Sequence, residues 1–122
     1  MCIRDRPLTL NKSTESIRED TSLFVIGHPN GIPTKIADNA AARKAEERKN
    51  FFVANLDTYG GNSGSAVFNA STNKVEGILV RGETDYKYNR NDRCYESYKC
   101  DDDECRGEDV IKISEVIDEL RN

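Results

Sequence analysis

The chain has 122 residues, 36% hydrophobic and 33% charged, which suffices for one domain with one modest core. Its net charge of -4 and pI near 5.1 leave no basic stripe to neutralise phosphates, so no nucleic-acid partner is expected. No apolar run approaches the length of a membrane span, and no stretch has the form of a signal peptide.

In chain order, residues 1–6, "MCIRDR", read as a non-native, adapter-like start, leaving 7–122 as the native domain and removing Cys2 from the cysteine count. "SLFVIGH" (22–28) is a compact apolar strand ended by the turn signals of "HPNGIP" (28–33). "TKIADNA" (34–40) alternates moderately, and the charged "ARKAEERKN" (42–50) reads as an exposed hairpin or loop. "FFVANLD" (51–57) is a strong strand leading into a glycine-rich loop. "SAVFNA" (65–70) and "KVEGILVRG" (74–82) form a predicted hairpin across the polar turn "STN" (71–73).

Residues 83–106 read as a long, acidic, tyrosine-containing loop. "GEDVIKI" (107–113) offers a last strand. "SEVIDELRN" (114–122) offers a short helix with Ser114 as N-cap and Val116, Ile117 and Leu120 as its buried stripe. Strands at short intervals followed by one terminal helix predict a small all-β barrel or sandwich. Cys94, Cys100 and Cys105 lack the spacing of paired zinc-ligand knuckles, and the one histidine, His28, is remote. Three cysteines clustered in a polar loop fit a disulfide-forming, extracytoplasmic chain, with connectivity open. The run Asp101–Glu104 reads as a solvated loop tip, and no metal site or cofactor is expected.

The chemical question lies in "DTYGGNSGSAVFN" (57–69). On one reading its glycines only supply positive φ in a turn between strands. On the other, Ser63 is a nucleophile projecting from a sharp turn whose backbone N–H groups face a developing oxyanion. Gly61 then lets a substrate carbonyl approach the backbone, and Gly64 relieves crowding behind the serine. Spacing alone leaves both readings open. A phosphate cradle is disfavoured, because no lysine follows the glycines.

The ordered blocks "VIGHPNGIPTKIA" (25–37), "FFVANLD", "DTYGGNSGSAVFN" and "KVEGILVRG" together resemble the C-terminal half of trypsin-like serine peptidases. Among these the resemblance points to the bacterial branch that includes glutamyl endopeptidases, over about residues 7–113. It implies the C-terminal Greek-key β-barrel of a two-barrel fold with a short C-terminal helix. It implies a secreted or periplasmic serine endopeptidase acting on protein or peptide substrates without a cofactor. Ser63 would be the acyl-forming nucleophile, and the N–H groups of Gly61 and Ser63 the oxyanion hole. Val80 and Gly82 would pair with substrate backbone. Asp57 and Thr58 would border the specificity pocket, with Leu79 and Arg81 close to its wall. Asn62 stands where many relatives carry aspartate.

The pattern breaks at specificity and at the base. Leu79 occupies the place of the histidine that glutamyl-specific relatives use. Asp57 occupies that of trypsin's Arg/Lys-selecting aspartate, so the preferred side chain stays open. In the family, the triad histidine and aspartate belong mainly to the first barrel. His28 lies in a turn the family does not use for catalysis, and Asp20 and Asp38 lack the expected surroundings. The resemblance therefore implies a fragment whose N-terminal barrel is missing and which is inactive alone. A second reading is a catalytically dead trypsin-like domain acting as a binding module. A third, an unrelated disulfide-stapled β domain, leaves the ordered blocks unexplained.

Overall fold

The computed structural model describes residues 6–13, 15–45, 49–56, 58–82, 84–98 and 105–120. Alternation sets the first strand: in β1 (Ser22–Gly27), Leu23, Val25 and Gly27 point inward and are buried. β2 (Lys35–Lys44) returns antiparallel to it, and β3 (Phe51–Ala54) continues the sheet. β4 (Ala66–Asn69) and β5 (Val75–Arg81) form the hairpin that the sequence predicts. β6 (Tyr86–Asn89) and β7 (Cys94–Ser97) pair only with each other, and β8 (Glu108–Lys112) precedes α1 (Ile113–Leu120).

Six strands close into a barrel in the order β1-β2-β3-β8-β5-β4, which leaves the main sheet without an edge. Its interior is filled by Leu23, Val25, Phe52, Leu56, Val67, Leu79 and Val110, with Ala40, Ala42 and Ala54 where the walls come close. Outside the wall lies a second cluster. Phe68, Val75 and Ile113 are buried there, with Val116 and Ile117 of α1 packed against them. The Phe24 and Phe68 rings stack at 4.9 Å within it. The N-terminal segment straps this side. Asn11 N–H donates to the Val75 C=O, and Val75 N–H donates to the Thr9 C=O, each at 2.9 Å.

Three local expectations change. Residues 42–44 are not loop but the end of β2, because Ala42 is fully buried in the barrel and the Arg43 guanidinium donates to the Cys105 C=O at 2.6 Å. The segment 83–106 is not all loop, since it contains the β6–β7 hairpin. The helix starts one residue before Ser114, at Ile113, whose burial in the second cluster draws it into the first turn. Ser114 is thus inside the helix rather than its cap. Among the cysteines, Cys94 is a free, exposed thiol and Cys105 is engaged, while Cys100 and the acidic run 101–104 lie outside the described residues.

Gly77 sits where β5 packs tightly against its neighbour β8. A Cβ there would collide with the Ile111 carbonyl and sit 2.6 Å from Val110 Cγ1. Gly77→Ala is expected to lower stability by about 1–3 kcal/mol, the cost of overpacking a filled core. Urea unfolding of the purified variant against the parent sequence measures it.

Candidate active site

The loop carrying Ser63 runs from β3 to β4, and backbone geometry dictates its glycines. Gly61 has φ +97° and Gly64 φ +89°. At Gly61 there is a second constraint, since a Cβ would lie 3.1 Å from both Asn30 N and the His28 carbonyl. The tight turn Pro29–Gly31 therefore needs glycine at 61 whether or not a substrate approaches.

The loop is fastened at several points. Gly64 N–H donates to the Leu79 C=O at 2.7 Å, and Leu79 N–H donates back to the Ser65 C=O at 3.0 Å. Ser65 N–H donates to the Asn62 C=O at 3.0 Å. The Asn62 side chain is buried, its Nδ2 reaching the Tyr59 C=O at 3.2 Å. Its Oδ1 is also buried, without a hydrogen-bond partner, against the Cα of Gly27. Ser63 itself is exposed at the tip. Among the described residues its hydroxyl makes no hydrogen bond, and neither Gly61 N–H nor Ser63 N–H donates one. Two uncommitted backbone donors thus lie beside an exposed hydroxyl, and free donors are one condition an oxyanion hole must meet.

His28 is exposed, with Nδ1 3.3 Å from the Ile32 C=O and Nε2 3.4 Å from Thr34 Oγ1. Its ring is turned onto its own turn, so no base lies on Ser63 among the described residues.

A cavity of about 60 Å³ opens beside Ser63. Of the residues assigned to a specificity pocket from sequence, Thr58, Leu79 and Arg81 line it, as does Gly82, which was expected to pair with substrate backbone. Val80 is exposed at the end of β5, and Asp57 lies outside the described residues. Two further carboxylates line it that sequence reasoning missed, Asp85 and the buried Glu108. Glu108 packs so closely on Gly82 that any Cβ there would strike its carboxylate. The glycine at 82, read only as a substrate-pairing residue, was the one signal of that approach. Arg81 is committed elsewhere, its Nε donating to Asp109 Oδ2 at 2.6 Å. Arg106 donates to both oxygens of the same carboxylate, each at 2.6 Å.

Against this geometry the trypsin-like peptidase domain model matches residues 5–78, more than half of the chain. The chain belongs to that family. Among solved structures, this trypsin-like peptidase domain is similar to Rv3671c from M. tuberculosis H37Rv, in a serine-to-alanine mutant, inactive form. The TM-score is 0.64 at 14% identity, which establishes the likeness as one of fold. The match covers 96% of this chain and 53% of that one, so the domain spans about half the length of that structure. No curated protein matches the chain.

Asp109 links the pocket wall to stability. Its burial would raise its pKa, but the guanidinium groups of Arg81 and Arg106 outweigh that and hold the carboxyl below its ordinary value. A carboxylate whose folded pKa is depressed stabilises the fold above its unfolded pKa, and that contribution is lost as pH falls through the folded value. The urea midpoint should therefore hold down to about pH 5 and drop below about pH 4. In Asp109→Asn this share of the acid drop should disappear, as urea titrations of both proteins from pH 7 to pH 2 would record.

Proposed function

We propose that this domain is the nucleophile-bearing half of a serine endopeptidase, with Ser63 forming the acyl-enzyme. Gly61 N–H and Ser63 N–H would stabilise the tetrahedral oxyanion. The observation that carries this reading is the pair of uncommitted donors next to an exposed serine hydroxyl beside a small pocket. The family's chemistry then proceeds by attack of Oγ on the scissile carbonyl, transfer of the hydroxyl proton to a base, and hydrolysis of the ester by water. That base, and the carboxylate that orients it, are assigned to an N-terminal barrel upstream of residue 7. Secretion or export, with a disulfide at Cys105 that does not involve Cys94, belongs to the same proposal.

Support for an absent partner barrel comes from the domain's half-length match and from the exposed Ile26, Ile32 and Ile36 around β1 and β2. Without a base, a serine hydroxyl stays protonated and weakly nucleophilic. Loss of the histidine costs about 10⁶ in turnover in the subtilisin example. Chain 1–122 is therefore expected to resist a fluorophosphonate probe over hours. Rapid labelling that is absent in Ser63→Ala would overturn the missing-base reading. A domain that stays unreactive after the upstream half is restored would favour the binding-module alternative.

Specificity follows from the pocket charges. Asp85 and Glu108 bring carboxylates to the lining, each with a partner of its own, and Arg81 is held by Asp109. A glutamate side chain would meet like charges there, so membership of the glutamyl-specific branch is not favoured. With the upstream half restored, peptides bearing glutamate before the cleaved bond should turn over at least about tenfold less well than lysine or leucine counterparts. A matched peptide panel measures kcat/KM for each.

A further inference from the structure

Gly60 controls where the Gly61 donor points. Two consecutive glycines give this stretch wide backbone freedom, and rotation of the peptide between them would swing the Gly61 N–H out of the site. Both peptide units flanking the Gly60 Cα are fixed. On one side, Gly60 N–H donates to Asp85 Oδ2 at 2.6 Å. On the other, the Gly60 C=O accepts from Asn30 N–H at 2.6 Å. The peptide is trans and planar, so a carbonyl held on Asn30 sends the Gly61 N–H the opposite way, out from the Pro29–Gly31 turn.

Asp85 is itself anchored. Its C=O accepts from Tyr98 N–H at 2.8 Å, closing the base of the β6–β7 hairpin. The hairpin is clamped to the same loop and turn. The Tyr86 hydroxyl accepts from Asn30 Nδ2 at 2.7 Å, and Ser97 Oγ lies 2.7 Å from the Tyr59 hydroxyl. The Tyr86 ring packs against Tyr59 at 5.8 Å. The Asp85 carboxylate lines the cavity beside Ser63, and an ionised acceptor holds an N–H about twice as strongly as a neutral one.

We propose that Asp85 is a positioning residue for the oxyanion hole. By holding Gly60 N–H it fixes the peptide before the Gly60 Cα, so that with Asn30 holding the peptide after it the Gly61 N–H is kept toward the developing charge. The inference rests on the reading of Ser63 as the acyl-forming nucleophile. A carboxylate close to a developing oxyanion opposes it electrostatically, so the contribution of Asp85 is geometric. A neutral side chain with an acceptor oxygen should serve as well.

Amide NMR on chain 1–122, with Asp85→Ala and Asp85→Asn, tests this without turnover. Its failure is thereby separated from failure of the peptidase reading, which probe labelling decides. In the unaltered chain, Gly60 N–H should exchange with solvent at least about tenfold more slowly than in an unstructured peptide. Asp85→Ala should remove that protection and shift or broaden the Gly61 and Ser63 amides, leaving those of Val67 and Val110 in the barrel unchanged. Asp85→Asn should restore the Gly61 amide to its original position. Unprotected exchange at Gly60 in the unaltered chain, or an undisturbed Gly61 amide in Asp85→Ala, would overturn the assignment. Should Asp85→Ala fail to fold, the exchange rate and Asp85→Asn decide alone, and a displaced Gly61 amide in Asp85→Asn overturns it.

Discussion

A reciprocal pair of backbone hydrogen bonds, Gly64 N–H to Leu79 C=O and Leu79 N–H to Ser65 C=O, welds the serine loop to β5. The bonds join two segments that meet only because β4 and β5 fold back on one another. Leu79 is also a barrel residue, 2% exposed. Its position is therefore set by the packing of the core and passed directly to the loop. Ser63 and the wall of the adjoining pocket are thus tied to one strand, since Arg81 ends β5 and Gly82 follows it. A site that must hold angstrom-level geometry gains from resting on a closed barrel rather than on a free loop.

Packing around the loop explains the residues next to Ser63. Asn62 is buried with its Oδ1 unbonded, lying over Gly27, where any side chain would collide with it. A buried acceptor without a partner costs about 1–3 kcal/mol. That cost is tolerated where the side chain's amide end ties the loop to Tyr59. Glycines at 27, 61 and 82 share one physical cause, the close approach of a neighbouring chain or carboxylate. Gly64, with nothing near its missing Cβ, is needed for its φ alone.

How much of this was legible in the sequence depended on distance along the chain. The serine loop was legible because its glycines, hydroxyl and following strand are contiguous. The barrel strands were legible from alternation, as in β1, and from apolar runs, as in β3. Asp85 and Glu108 were not, because they reach the pocket from 22 and 45 residues beyond Ser63 and carry no local signature. The end of β2 was hidden by Arg43 and Lys44, whose charges suggested solvent, although Ala42 just before them in the chain is wholly buried. The β6–β7 hairpin was hidden too, because its strands are exposed on nearly every residue and give no burial alternation to read. Its tyrosines carry the pairing instead, Tyr88 meeting Tyr95 edge to face across the strands.

That hairpin is closed at its base by one backbone hydrogen bond from Tyr98 N–H to the Asp85 C=O. Residues 87–96 are therefore an excursion whose root is fixed by the Asp85–Tyr98 bond and by the contacts of Tyr86 and Ser97 with Asn30 and Tyr59. Loop entropy rises by only about 0.6 kcal/mol per doubling of length. An arm attached this way can be lengthened, shortened or re-sequenced at its far end while its root, and the glycine it grips, stay where they are. The region beside Ser63 is thus open to diversification at its outer surface without re-engineering of the loop beneath.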